Sequence, residues 1–450
     1  MVNSESTKLS TPKRTWSRTL LYSAASAGLN IMSITVSTWL LYFYAPPPDS
    51  GRVQYMPAAL VGLLLTLGSF WDAAIDPFIG HWSDTLRSRW GRRRPFLMFA
   101  TPVAVVTLIL LWTPPVQGVA SLNAIYFTIV TVAYFTAFSL VGIPYDSTLP
   151  EMAPDTHDRV GLSYWKNVLG LIGVLIGSLV AAPLFESLGP VMMGIVVGAV
   201  GLVTIWMTLF GLRGVERPLG EPIGVWEGLW STLRNQQFLV VFFSTLFVHL
   251  AYQMLLANLP YFVTLVIGQS EADVAIFQGV LILLMGLTGP LWTLASKHYS
   301  QRSLLNVAMA GMIVAAVVTF AVGMLSSSAL FLQAMIGLVP FGVMLGGYFI
   351  IIYAMMGNVV DYDEMLTGRR REAIYYGTFS FANGLGISVG TLILPLLLEW
   401  FGYTKQNPMG VRVAFLAMAV AVGIGIAIFR GYRLGDTPEE TRRNLEMPEV

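Results

Sequence analysis

Twelve long apolar segments, separated by charged or turn-forming stretches, limit most strongly what this chain can fold into. Each offers about 20 mostly apolar residues, the length that an α-helix needs to cross a bilayer. They cover residues 19–44, 56–82, 96–113, 121–145, 162–184, 190–212, 237–264, 275–295, 304–325, 329–355, 374–398 and 411–430. Only 11% of the residues are charged, against roughly 25% in soluble domains. The sequence therefore predicts an all-α polytopic membrane protein with twelve transmembrane helices embedded in a lipid bilayer.

The lysines and arginines of the short connections lie mostly on one side of these predicted helices. That side receives the N-terminal stretch, the arginine-rich stretch after the second segment and the basic stretch before the eleventh. The other side has little beyond Arg52, Lys405 and Arg412. Because positive loops stay in the cytoplasm, we expect both termini to be cytoplasmic and the protein to be a multi-pass component of the cell (plasma or inner) membrane.

The long connection at 213–236 divides the segments into two sets of six. We expect a cytoplasmic tail at 1–18, six-helix bundles at 19–212 and 237–430, the cytoplasmic linker 213–236 between them, and a second tail at 431–450. Basic and acidic loops of the first half recur about 207 residues later, as a duplicated six-helix unit would place them. This organisation is typical of two-bundle secondary transporters.

Several function classes are disfavoured by what the sequence lacks. It contains no cysteine, and therefore no disulfide or thiolate metal site. Its net charge of +1 gives no reason to expect a nucleic-acid partner. No phosphate-binding glycine loop, Ser/His/Asp set or metal-ligand cluster is recognisable. We therefore expect neither ATP-driven transport nor an enzyme, and no cofactor apart from a coupling ion.

The stretch GSFWDAAIDPFIGHWSDTLRSRWGRRRP at 68–95 contains the residues that are most costly to place in a membrane. Asp72 and Asp76 are four residues apart within an apolar segment, and therefore share one face of a helix. Carboxylates at membrane depth are tolerated where they face a cavity or a partner. Binding of Na⁺ or H⁺ would relieve their repulsion and lost hydration. The favoured interpretation is a cation-coupling site; the alternative is a structural network with Lys166 or a loop arginine.

Sequence motifs in both halves of the chain carry a family resemblance. WDAAIDPFIGHWSDTLRSRWGRRRP at 71–95 and DYDEMLTGRRREAIYYGTFSF at 361–381 resemble the glycoside–pentoside–hexuronide:cation symporter family of the major facilitator superfamily. GIPYDSTLPEM at 142–152 is also similar, and the resemblance follows nearly the whole chain. It implies the major facilitator fold and symport of a sugar or glycoside with Na⁺ or H⁺ by alternating access between two bundles.

The resemblance also implies roles for single residues. Asp72 and Asp76 match the two cation-binding carboxylates of the family, where Na⁺ could bind. Ser139 falls where the family has a Thr hydroxyl, and Lys166 where it has a sugar-site Arg. Ile75, however, stands where the family often supplies an oxygen ligand, so both Na⁺ and H⁺ remain candidate coupling ions.

The galactoside-binding set of the family is not reproduced. Asn30 and Gly142 replace two sugar-binding Asp residues, and Asn383 and Gly384 stand where the eleventh segment usually has a Lys. We expect the substrate site among polar side chains that face the bundle interior, namely Asn30, Asp146, Lys166, His249, Tyr376 and Asn383. For Lys166 the alternatives are a counter-ion to the carboxylates and a side chain that snorkels to the surface. Asp146 could equally be a network or surface residue, and the others could form interhelical hydrogen bonds.

The charged loops are expected to hold the basic ends of the helices together, because arginines can meet helix C-terminal carbonyls and nearby carboxylates. We name this set the basic-side seam; it comprises Asp84, Arg92, Arg93, Arg94, Asp361, Asp363 and Arg370. Plain positive-inside charge is the alternative explanation for the arginines.

Two other functions compete with a sugar symporter, which we expect to be a monomer. A cation-coupled carrier of lysolipids or other amphiphiles is one, because some relatives of the resembling family move lysophospholipids. A non-transporting membrane sensor is the other; it would need a signalling domain, for which the expected tails are too short.

Overall fold

The computed structural model describes residues 15–152, 156–212, 232–324, 328–368 and 372–445. Within these ranges the chain is helical, with connecting loops and no strands. Most of the linker 213–236, the first fourteen residues of the chain and the last five fall outside them. The side chains of residues 77, 84, 150, 151, 156–160, 372, 373 and 438 are likewise outside the description.

Twelve principal helices follow one another along the described chain. In the first half they are α1 (Trp16–Tyr44), α2 (Ala58–Thr85), α3 (Arg94–Leu110), α4 (Ser121–Ser147), α5 (Thr156–Ser187) and α6 (Pro190–Gly211). In the second half they are α7 (Gln236–Tyr261, continued as a π-helix over Phe262–Ile267), α8 (Val274–Leu287, continued by Gly289–Ala295), α9 (Gln301–Phe320), α10 (Leu330–Thr367), α11 (Glu372–Phe401) and α12 (Met409–Phe429). Short helices at Pro48–Ser50, Leu149–Met152 and Pro438–Asn444 complete the order.

In the described residues, eleven of the twelve are long and apolar enough to cross a membrane, which confirms the all-α polytopic prediction. The remaining one, α3, is apolar but has 17 residues, at the lower end of the span length of about 17–25. Some helices extend past their predicted segments: α10 ends at Thr367 instead of residue 355. The extension, NVVDYDEMLT, is polar. Hydropathy reports only the part of a helix that lipid surrounds, so it misses such an end.

Within each half, glycines bring helix backbones into direct contact. On α5, Gly173 lies against Ala27 of α1; a Cβ at position 173 would be 2.6 Å from the Ala27 Cα. Gly177, one turn along, approaches Ile31 in the same way. The second half repeats this where Gly386 of α11 meets the Leu246 carbonyl of α7. Small residues permit this approach in membranes, so the α5 glycines allow α5 to pack closely on α1.

Substituting Gly173→Ala is expected to destabilise the first half. The new methyl group would overlap the Ala27 backbone, and overpacking of this kind costs about 1–3 kcal/mol. A lower midpoint of thermal unfolding of the detergent-purified protein would show the effect. Gly142→Ala is the matched control, because open space surrounds that mid-helix position. Equal midpoints for Gly173→Ala and wild type would contradict the backbone contact.

Contacts between the halves run along three helix pairs: α2 with α11, α5 with α8 and α1 with α7. We call the end of the molecule that bears Trp16, Phe429 and the loop 86–93 the basic side, and the end that bears the loops 45–57 and 402–408 the opposite side. Gly62 of α2 lies against Pro395 of α11 near the opposite side. The Ala59 amide donates to the Glu399 carboxylate at 2.8 Å in the same region.

An ion pair joins the loops of the two halves at the opposite side. The Arg52 guanidinium donates to both carboxylate oxygens of Glu271, with Nε 2.5 Å from Oε1. The Tyr42 hydroxyl donates to the same carboxylate at 3.0 Å, and the guanidinium carbon lies 4.6 Å from the centre of the Phe185 ring. We call the Arg52–Glu271 pair with Tyr42 the rim latch. It holds the halves together on the opposite side.

Candidate functional site

A cavity of about 450 Å³ lies between the two halves. Helices α1, α2, α4, α7 and α11 form its wall, so both halves contribute. Its polar side chains are Ser33, Ser37, Ser69, Asp72, Asp76, Tyr134, Gln253, Ser380, Ser388 and Thr391. Its aromatic side chains besides Tyr134 are Phe135, Phe138 and Phe381. Hydroxyl groups, one amide, aromatic rings and two carboxylates therefore face a common space.

The cavity is closed at its opposite-side end and wider toward the basic side. At the closed end the Thr66 hydroxyl donates to the Ser388 carbonyl at 3.1 Å and lies 3.2 Å from the Thr391 hydroxyl. Toward the basic side, added Cβ atoms at Gly142 of α4 and Gly377 of α11 would meet nothing within 4 Å. Among the described residues, α4 and α11 therefore leave open space toward the basic side.

Asp72 and Asp76 lie one turn apart on α2, and both line the cavity. The Ser139 hydroxyl of α4 donates to Asp72 Oδ1 at 2.7 Å. Among the described residues, Asp76 Oδ1 is buried and has no hydrogen-bond partner. Such an oxygen is costly to leave unpaired, and a proton or a metal cation would satisfy it. The site can therefore take up positive charge beside the cavity.

Lys166 is not the counter-ion of these carboxylates, contrary to one of the alternatives raised by the sequence. Its Nζ donates to Asp146 Oδ1 at 2.6 Å and lies 5.2 Å from the centre of the Tyr145 ring. The sequence could not show this pairing, because the partners belong to different helices and are 20 residues apart. Asp146 is thus a network residue, and its side chain remains 64% exposed.

Two other predicted substrate residues, the half-buried Asn30 and the buried His249, bond to their own helices. The Asn30 side-chain amide donates to the Ser26 carbonyl of its own helix at 2.7 Å. His249 is buried, with Nδ1 3.1 Å from the Thr245 carbonyl, and its ring packs against Tyr348 and Phe349. Neither is among the residues that line the cavity. Both hydrogen bonds are made to a carbonyl of the residue's own helix, so the described contacts show neither the substrate role nor the interhelical hydrogen bond that the sequence left open.

On α11 the two predicted residues are each one position away from the cavity wall. Gly377 and Gly384 line the cavity, whereas Tyr376 and Asn383 precede them. One residue along a helix rotates the side chain by about 100°, which turns both onto a neighbouring face. The Tyr376 hydroxyl donates to the Tyr353 carbonyl at 3.4 Å.

The predicted substrate residues of α1, α7 and α11 are Asn30, His249, Tyr376 and Asn383, but other polar side chains of these helices face the cavity. They are Ser33, Ser37, Gln253 and Ser380. The residues that were missed are Ser69, Ser388 and Thr391 with the rings of Phe135, Phe138 and Phe381. On α11 a usable signal existed: small or hydroxyl residues recur there at helical spacing from Gly377 to Thr391.

The basic-side seam is described only in part. The Arg93 guanidinium donates to the Ser147 carbonyl at the end of α4, and thereby ties the loop before α3 to α4. Arg92 and Arg94 are half-buried beside it, and on α10 Asp363 is buried and Asp361 half-buried. The side chain of Asp84 and all of Arg370 lie outside the described residues.

Comparison with known proteins relates most of this chain to transporters. A family model described as MFS/sugar transport protein matches residues 21–431. The isoprimeverose transporter of Lactiplantibacillus pentosus is 24% identical over 405 residues, which cover 87% of this chain and 82% of that protein. The glucuronide carrier protein homolog of Escherichia coli is 24% identical over 425 residues, covering 89% and 88%. The sodium-dependent lysophosphatidylcholine symporter 1 of Gallus gallus is 21% identical over 437 residues, covering 85% and 80%.

Solved transporter structures share the fold. A nucleoside transporter NupG variant superposes with a TM-score of 0.70 at 13% identity, over 92% of this chain and 99% of that one. A bacterial homolog of the human lysosomal transporter Spinster, in an inward-facing and unoccupied conformation, also gives 0.70 at 14% identity, over 97% and 100%. The expected major facilitator fold is therefore confirmed.

Proposed function

The chain belongs to the MFS/sugar transport protein family, and we propose on that premise that it is a cation-coupled symporter of a sugar or glycoside. One observation carries the proposal: the Asp72–Asp76 pair lines the cavity between the halves, with one carboxylate oxygen buried and unpaired among the described residues. The coupling ion, Na⁺ or H⁺, and the sugar would therefore occupy adjoining parts of one space.

Coupling follows from the electrostatics of this pair. Uptake of Na⁺ or H⁺ neutralises charge that is otherwise repelled and poorly hydrated at membrane depth. The neutralised α2 can then pack against a substrate and against α11. Because coupling free energy is reciprocal, a cation that tightens substrate binding is itself bound more tightly in the presence of substrate, by the same factor. Ser139 would orient Asp72 through its hydrogen bond.

The orientation completes the proposal. With both termini in the cytoplasm of the plasma or inner membrane, the basic side faces the cytoplasm and the cavity is open inward. The rim latch then closes the external side. The protein acts as a monomer without nucleic acid, a cofactor or catalytic chemistry, and alternates access by parting the halves at the latch while they meet at the basic-side seam. When the basic side is closed, its helix ends would be held together by the predicted seam residues Asp84, Arg92, Asp361 and Arg370.

Transport of a lysolipid is the second candidate, favoured by the name of the avian relative and by the phenylalanine rings in the cavity wall. A phosphate headgroup would need a cationic partner. No Lys or Arg occurs among the described lining residues, and Lys166 is already paired. The sugar or glycoside assignment fits this wall better.

The test is uptake by proteoliposomes with the Na⁺ gradient and the pH gradient imposed independently. A panel of radiolabelled mono- and disaccharides and glycosides is offered, with lysophosphatidylcholine as the competing substrate. We expect at least one saccharide to accumulate above its external concentration under one of the two gradients. Absence of accumulation across the panel under either gradient would overturn the proposal, and accumulation of lysophosphatidylcholine alone would replace it with the second candidate.

A further inference from the structure

The described residues of the cavity wall include negative but no positive side chains. Its described lining includes Asp72 and Asp76 and no Lys, Arg or His. A bound monovalent cation offsets one carboxylate, so the loaded site is negative if the other carboxylate stays ionised and is neutral only if that carboxylate is protonated. A substrate that itself carries a carboxylate would therefore meet like charge and find no counter-ion in this wall.

Lys166 of α5 does not correct this imbalance. Lys166 Nζ lies 2.6 Å from Asp146 Oδ1, and its side chain is only 21% exposed. The contact of Nζ with the Tyr145 ring occupies a second side of the ammonium group. The charge of Lys166 is thus already offset by a carboxylate, and a bound anion would have to compete with Asp146 for it.

What the wall does offer suits uncharged hydroxyl-rich molecules. The Tyr134 side chain is 2% exposed, lines the cavity, and its hydroxyl has no partner among the described residues. A buried hydroxyl without a partner is costly, and a ligand hydroxyl would satisfy it. Ser33 and Ser37 of α1 and Gln253 of α7 add neutral donors and acceptors to the same wall.

We propose that this cavity selects neutral saccharides and rejects hexuronates. The inference rests on the proposed function and narrows its substrate class. Selection arises from two features together: two carboxylates in the wall, and a lysine whose charge Asp146 masks. Tyr134 would recognise a sugar hydroxyl, whereas a uronate carboxylate would remain without a positive partner. Like-charge juxtaposition at a binding site is strongly unfavourable.

Matched ligand pairs test this inference. The p-nitrophenyl β-glycosides of glucose and galactose are compared with the corresponding glucuronide and galacturonide, using the full chain in proteoliposomes at fixed Na⁺ and pH 7. We expect at least one neutral member to be taken up. Its uronate partner should compete for that uptake at least tenfold more weakly than the neutral member does. A uronate that competes as well as its neutral partner would overturn the inference while leaving the proposed function intact. No response to either member of any pair would instead count against the proposed function.

A variant pair keeps the test sharp. Gly377 lines the cavity with open space around its Cβ position, so a long side chain fits there. Gly377→Lys is expected to lower the preference for the neutral glycoside over its uronate partner at least fivefold, because the lysine supplies the positive charge that the wall lacks. Gly377→Gln, of similar length but uncharged, should leave the preference unchanged. If both variants shift it equally, or neither does, charge in the wall does not set the selection.

Discussion

Replacing Asp72 or Asp76 with Asn is expected to abolish gradient-driven uptake, with the steady-state accumulation ratio falling to about one. Each substitution keeps the size and polarity of the side chain but removes the charge that Na⁺ or H⁺ must neutralise. Asp72 would lose the ionised acceptor of Ser139, and Asp76 the unpaired oxygen beside the cavity. The measurement is accumulation of the identified substrate in proteoliposomes under the active gradient.

Two controls separate coupling from folding and binding. Asp49→Asn neutralises a carboxylate on the opposite-side loop, where Asp49 accepts from the Lys405 amide, and should leave accumulation near the wild-type level. Exchange of labelled for unlabelled substrate without a gradient should persist in Asp72→Asn or Asp76→Asn, because the rest of the cavity wall is intact. Full accumulation in both variants would remove this carboxylate pair as the cation site.

Breaking the rim latch is expected to shift the protein toward opening on the opposite side. Glu271→Gln removes one charge of a hydrogen-bonded pair whose side chains are 31% and 11% exposed. Loss of one partner of a buried pair costs about 2–5 kcal/mol; partial exposure lowers this to roughly 1–2 kcal/mol. Only the latched state is weakened, so the ratio of opposite-open to latched molecules should rise about tenfold.

The absence of cysteine makes this population measurable. A single Ser37→Cys substitution places a thiol in the cavity wall, and a membrane-impermeant maleimide applied from the opposite side labels it only when that side opens. Glu271→Gln should raise this labelling rate about tenfold. Asp273→Asn, in the same loop but with its partner within the loop, should not. Charge exchange, Arg52→Glu with Glu271→Arg, should restore slow labelling; an unchanged rate in Glu271→Gln would refute the latch.

Most of the fold could be predicted from the sequence because the bilayer imposes one strong rule: a helix that crosses it needs about 20 mostly apolar residues. That rule located the twelve helices. It was less informative at their ends: at the C-terminus of α10, for example, the polar stretch up to Thr367 continues the helix outside the apolar region. The cation-site residues could be predicted for a related reason, because a carboxylate such as Asp72 is conspicuous in an otherwise apolar segment.

The substrate wall could not be predicted to the same depth, because its members are ordinary residues. Serines, glycines and phenylalanines occur throughout the chain, and only helix rotation decides which of them face the cavity. Asn383 and Gly384 illustrate this: the sequence predicts a substrate contact for Asn383, yet Gly384 is the residue that lines the cavity. The pairing of Lys166 with Asp146 depends on the approach of two helices, which a single sequence does not encode locally.

The apolar contacts between α5 and α8 contribute little to the energy needed to part the two halves. Leu179 and Leu171 of α5 each press against a glycine of α8, Gly279 and Gly286. A leucine leaving such a contact meets lipid chains as apolar as its former neighbour, so parting costs little hydration or burial energy. The membrane-embedded part of the interface therefore offers little resistance when the two halves move apart. We therefore expect the rim latch to resist parting of the halves more than these leucine contacts do.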